Sequence, residues 1–247
     1  MAGVVHNGKA MGYAAAEIAA CLAQVKELKG KKSMSTENAL AMLRTMAQMQ
    51  DEHNALVHPQ WRDQGHQYYR AVWVECAEML DHFGWKWWKK QSPDLDQVKL
   101  ELVDIWHFGL SEMLRSGPVD EAIAAQLSAI EAADVNAPED VRAENFRLSI
   151  EQLAAACLAT RSFDLPAFKL AMASLPMDLP ELYAMYIGKN ILNRFRQNNG
   201  YKSGEYRKLW QGREDNEHLV ELLDELSDVV EGLPDKLYAG LEARYTA

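Results

Sequence analysis

The chain has 247 residues, 48% hydrophobic and 25% charged, with a formal net charge of −10; these are globular proportions with room for one sizeable core. The acidic excess argues against broad binding to a polymeric nucleic-acid backbone, and no stretch approaches the ~20 uninterrupted apolar residues of a membrane span. The N-terminus shows no secretion-signal pattern, and Cys21, Cys76 and Cys157 match neither a disulfide framework nor a zinc spacing, so a reducing, cytoplasmic setting away from membranes is expected.

Strand signals are sparse and helix punctuation is frequent. An Ala-rich helix is predicted over 14–28, followed by a connector, GKKSMS. Ser35 or Thr36 caps the next helix, which carries Leu40, Leu43, Met46 and Met49 at helical spacing and breaks at HPQW, 58–61. A third helix runs from about Gln67 to Phe83 and stops at Gly84. Ser92-Pro93-Asp94 reads as N-cap, first-turn proline and first-turn acid of a helix that continues to about Arg115. Further helices are predicted over 119–133, 139–160, 181–197 and 217–231, with Pro166, Pro176 and Pro180 as punctuation. The expected fold is all-α, an antiparallel helical bundle.

Within AVWVECAEML, 71–80, the ionisable side chains other than Cys76 are Glu75 and Glu78. They lie about 60° apart on a helical wheel, flanked by Val74, Met79 and Val72, on a face where a surface helix carries no charge. Glu101 and Asp104 repeat the arrangement beside Leu100, Ile105 and Phe108. The short connection between the two helices favours antiparallel neighbours. At about 1.5 Å per residue, Glu78 and Glu101 lie roughly 8 and 12 Å from the hairpin end, so the pairs face one another. A single E-x-x-E is common on solvated helices; two such pairs on consecutive apolar helices point to a site for Mg²⁺ or Mn²⁺.

Downstream, KNILNRFRQNNGYKSGEYRK inverts the charge locally, with Lys189, Arg194, Arg196, Lys202, Arg207 and Lys208 against Glu205. Such a segment suits a phosphate clamp, although basic residues near a helix C-terminus also complement the helix dipole. Gln50 and Asn54 share a helix face at i, i+4, where their amides suit a pyrimidine edge; solvent exposure is the commoner fate of such a pair. Among the clustered tryptophans 61, 73, 85, 87 and 88, most read as core or interface anchors and one as a base-stacking candidate. His107 follows Asp104 by three, as in di-iron bundles, but Glu78 and His82 are four apart, so His107 reads as a hydrogen-bonding residue of the core or one that supports the ligands from behind.

Three blocks, MQDEHNALVHPQW (49–61), VECAEMLDHFGWKWWK (74–89) continuing into ELVDIWHF (101–108), and YIGKNILNRFRQNNGYKSGEYRK (186–208) trailed by GREDN (212–216), resemble the dimeric, all-α dUTP pyrophosphatases of the MazG-like NTP pyrophosphohydrolase superfamily. The resemblance implies hydrolysis of dUTP, and of dUDP, in a homodimer. It implies that Glu75, Glu78, Glu101 and Asp104 hold two or three Mg²⁺ ions, with Mn²⁺ as a substitute, and that Glu75, or else Glu78, accepts the proton of the attacking water. Gln50, Asn54 and Trp61 would contribute to the uracil and deoxyribose pocket, and Lys189, Asn193, Arg196, Tyr201, Lys202 and Lys208 would close over the nucleotide. Residues 1–35 then form an N-terminal helical extension to a catalytic domain of 36–247, whose core is 36–115 and 181–231 and whose segment 119–180 is less family-like. The rival readings are a related enzyme acting on dCTP or a modified nucleotide, a non-catalytic scaffold holding a structural ion, and a di-iron oxidoreductase.

Overall fold

The computed structural model describes residues 14–28, 34–130, 136–175 and 177–246. The start of the N-terminal extension, the connector at 29–33, the end of the helix predicted over 119–133 and Pro176 fall outside them. The expected all-α class holds: α1 (Ala14–Leu28), α2 (Thr36–Val57), α3 (Tyr68–Phe83), α4 (Leu95–Ser116), α5 (Glu121–Ser128), α6 (Glu139–Thr160), α7 (Leu165–Ser174), α8 (Leu179–Asn198), α9 (Asp215–Glu225) and α10 (Leu233–Thr246) carry it. A 3₁₀ turn, Trp61–Gln64, and a two-stranded hairpin, β1 (Leu209–Trp210) and β2 (Arg213–Glu214), complete the described elements. No helix among the described residues is long and apolar enough to cross a membrane.

Local chemistry sets most helix starts. The Ser35 side chain accepts from Asn38 N at 3.2 Å, and the Asp178 carboxylate accepts from Glu181 N at 2.8 Å, which starts α8 two residues before the predicted 181. Pro180 sits in that first turn, where a missing N–H costs nothing. The cap of α4 is Asp94 rather than Ser92, with its side chain accepting from Gln97 N at 3.2 Å. Asp94's own N–H is taken by His82 O at 3.0 Å, which ties the loop back to α3 and delays the helix to Leu95.

Three elements differ from expectation. Pro166 opens α7, capped by Asp164, where the sequence suggested only punctuation. The predicted final helix, 217–231, is two: α9 ends at Glu225, and after Gly232, at φ +68°, α10 runs to Thr246 and adds Leu237 and Leu241 to the core. The hairpin was not foreseen. Gln211 and Gly212, both at positive φ (52° and 80°), make its two-residue turn.

α3 and α4 make the most extensive helix pair, with α2 and α8 packed on α4 and α6 on α3. One hydrophobic cluster runs from Ile18 on α1 through Trp106 on α4 to Leu241 on α10. Gly188 lets α9 approach α8 closely, since a Cβ there would meet Leu223 at 2.8 Å. That approach brings the start of α9 against Lys189 and Arg196.

Candidate active site

Carboxylate oxygens of Glu75, Glu78 and Glu101 lie within 4.8 Å of one another across the α3–α4 pair. Glu101 is buried, Glu75 half-buried and Glu78 exposed. Val72 and Met79 are buried as the wheel suggested, but Val74 is 39% exposed, and Glu78 lines a cavity instead of entering the core. The fourth predicted ligand, Asp104, has an oxygen 2.7 Å from Lys189 Nζ. Lys189 is itself only 1% exposed and also donates to Asn216 Oδ1 at 3.0 Å. Asp104 is thus balanced within the protein, whereas His82, 3.5 Å from Glu101, faces the other three.

Burial, reinforced by the charges of Asp104, Glu101 and Glu78, pushes the Glu75 carboxyl up to about 9. Glu101 is raised as well, by burial and by Asp104, against the opposing pull of Lys189. Converging carboxylates of this kind stay ionised only beside a cation. The donor set is all oxygen, which fits a hard cation such as Mg²⁺ and not a thiolate- or imidazole-seeking metal.

The cluster opens into a cavity of about 520 Å³ lined by seven carboxylates and three cationic side chains, Lys189, Arg196 and Lys208. None of these three is a free cation. Arg196 places two nitrogens 2.8 Å from the oxygens of Asp215, a fully buried residue that also accepts from Tyr206 OH. Lys208 lies 3.2 Å from Glu214. Lys202 donates to Val57 O at 3.0 Å and lines neither this cavity nor its neighbour. In the segment read as a clamp, Lys189, Arg196 and Lys208 are therefore held in ion pairs, and the partners of the last two, Asp215 and Glu214, lie in the GREDN stretch that trails it.

A second cavity, about 340 Å³, adjoins the first and shares Glu75, Asp104, Arg196 and Tyr201 with it. It gathers Gln50, Asn54, Trp61 and Asn193 as expected. Gln50 and Asn54 are 3% and 9% exposed, which settles their fate against solvation. Trp61 is buried, with its indole N–H donating to Asp51 at 2.9 Å, so the 3₁₀ turn is pinned against α2. The walls also include His53, Tyr68, His107, Phe108 and Ser111, which sequence reasoning did not assign to a site. A signal for three of them existed: Asp104, His107, Phe108 and Ser111 follow i, i+3, i+4, i+7, one stripe of α4. His107 bonds Val103 O through Nδ1 at 2.9 Å and stacks on Tyr186 at 4.3 Å, and burial holds it down at about 4, so the ring is neutral.

The family model described as dUTPase matches residues 42–201, nearly two thirds of the chain. The matched range contains all four carboxylates, both amides and Trp61, and it runs through 119–180. A search of curated proteins finds no match. With the match extending over this much of the chain, the chain belongs to the dUTPase family and is a dUTP diphosphatase.

Proposed function

We propose that Glu75, Glu78, Glu101 and Asp104 bind Mg²⁺, that the nucleoside occupies the smaller cavity and the phosphates the acidic one, and that the enzyme acts on dUDP as well as dUTP. The observation that carries this reading is the junction of the two cavities at Glu75, Asp104, Arg196 and Tyr201. A nucleotide spanning them has its α-phosphate at that junction. Attack of water there releases pyrophosphate from dUTP and phosphate from dUDP, with dUMP the product of both.

Seven carboxylates against three paired cations repel a bare polyphosphate. Two or three Mg²⁺ ions, or Mn²⁺ in their place, would offset that repulsion, polarise the phosphates and lower the pKa of a bound water. Glu75, half-buried at the junction, is assigned to accept the water's proton, and Glu78, on the open side, to complete the cation site. Arg196 and Lys208 reach the phosphates by exchanging their acidic partners, with Lys189 holding Asp104 in place. Tyr201, half-exposed on the rim of both cavities, closes over the nucleotide together with Asn193, and Lys202 joins them only by leaving Val57 O. A tight fit around the base excludes the 5-methyl of thymine.

A homodimer follows from the family resemblance. Trp73 and Val74 on α3, with Trp85, Trp87 and Trp88 beyond its end, supply exposed apolar surface for a second copy to cover. Sedimentation equilibrium reads the subunit count directly.

A release screen over dUTP, dUDP, dCTP and dTTP, each with Mg²⁺ or with EDTA, tests the reading of the site. The expected outcome is release from dUTP and dUDP that depends on Mg²⁺. Undiminished release in EDTA would remove the cation from the mechanism, and equal rates on dCTP would remove the base pocket.

A further inference from the structure

The amides of Gln50 and Asn54 belong to a buried network whose polarity is set by Ser111, on the cavity wall, and by Tyr186, which does not line the cavity. Two amide nitrogens converge on one hydroxyl: Gln50 Nε2 and Asn54 Nδ2 lie 3.1 and 2.9 Å from Ser111 Oγ. The single proton of Ser111 points away, to His107 O at 2.8 Å, so the oxygen serves as acceptor to both. Gln50 Nε2 spends its other hydrogen on Asn54 Oδ1 at 3.0 Å, and Gln50 Oε1 receives the Tyr186 hydroxyl at 2.8 Å. With the Ser111 proton on His107 O, turning either amide alone would set oxygen against oxygen at Ser111, and turning Gln50 would also cost it the Tyr186 hydrogen bond. Tyr186 has another acceptor in reach, Met46 O at 3.0 Å, and Asn190 Nδ2 donates to its oxygen at 3.3 Å.

The accounting leaves a specific remainder. Both hydrogens of Gln50 are used. Asn54 keeps one N–H and one Oδ1 lone pair unspent, on a residue that lines the cavity. Uracil presents N3–H beside a carbonyl oxygen, whereas cytosine presents a bare N3 beside an amino group. With the base held in place, one orientation of the Asn54 amide matches the uracil edge and the reversed orientation matches cytosine.

We infer that Ser111 and Tyr186 are positioning residues for base choice: they lock the polarity of the Gln50–Asn54 amide pair and thereby make the cavity read uracil in preference to cytosine. Neither needs to touch the nucleotide for this. The inference rests on the placement of the base beside Asn54 proposed above, and the experiment separates the two.

The measurement is kcat/KM for dUTP and for dCTP in the intact enzyme and in Ser111→Ala, Tyr186→Phe and Asn54→Ala, with the melting temperature of each. Freed amides should lower the dUTP-to-dCTP preference of Ser111→Ala and Tyr186→Phe by about one to two orders of magnitude, partly through a gain on dCTP, because polar groups that reject the wrong base only when fixed lose that power when they can turn. An unchanged preference in a folded Tyr186→Phe, or losses on both nucleotides by the same factor, would overturn the positioning role. If Asn54→Ala retains full activity on dUTP, the placement of the base fails first. If Asn54→Ala loses it while the preference survives in the other two, the placement stands and the positioning role does not.

Discussion

The two adjoining cavities differ in the chemistry of their walls. The smaller one gathers amides, aromatic rings and histidines, with the Gln50 and Asn54 amides and Ser111 joined in one hydrogen-bonded network and His107 neutral. The larger one is crowded with like charges that the protein leaves partly unbalanced. In the proposed reading, hydrogen-bond order would give the first its selectivity, since a buried group without its partner is costly. Excess charge gives the second its demand for cations. In the proposed reading the two complement each other: a base would be read by its edge, a polyphosphate by its charge.

The contrast can be broken from either side. The largest effect is expected from Glu101→Gln, which removes the most buried carboxylate of the cluster: turnover of dUTP should fall by on the order of 10³-fold or more while circular dichroism stays helical. Activity within tenfold of the unmodified enzyme would detach the cluster from catalysis. Behind the acidic cavity, Asp215→Ala strands the Arg196 guanidinium and frees Tyr206. A loss of about 3 kcal/mol in urea unfolding is expected, as for other broken buried ion pairs; a loss under 1 kcal/mol would mean that water already reaches the pair. In the smaller cavity, Asn54→Ala should lower kcat/KM for dUTP by roughly 10²-fold.

The smallest effect concerns pH. A Glu75 carboxyl held up to about 9 binds its proton more tightly in the folded chain than in the unfolded one. Its contribution to stability is therefore full below the ordinary carboxylate range and is lost as pH rises toward 9. A cation at the cluster offsets that loss, so Mg²⁺ should raise the melting temperature by several degrees at pH 8 and hardly at all at pH 5. An equal rise at both values would place the stabilising ion elsewhere.

Features with a local period were legible in the sequence. α2, α3, α4, α6 and α8 declare themselves by apolar spacing and end signals, and the carboxylates by standing on helix faces that should carry no charge. α7 and α10 were obscured because Pro166 reads equally as a stop or as a first turn, and because Gly232 hides between two short helices. The partners of the clamp residues were illegible for a different reason. Asp215 and Asn216 matter only because Gly188 lets α9 close on α8, a contact with no trace in spacing. Ser111 and Tyr186 lie 61 and 136 positions from Gln50; the α4 stripe puts Ser111 on the face of Asp104, but no local period shows that it or Tyr186 meets Gln50.

The most direct test of the carboxylate cluster needs no nucleotide. Mn²⁺ titrated into the unmodified protein and into Glu101→Gln, with free ion followed by electron paramagnetic resonance, reports binding at the cluster alone. The expected result is saturable binding in the unmodified protein, weakened at least tenfold by the substitution. Identical binding curves would contradict the assignment of Glu75, Glu78 and Glu101 as the cation site.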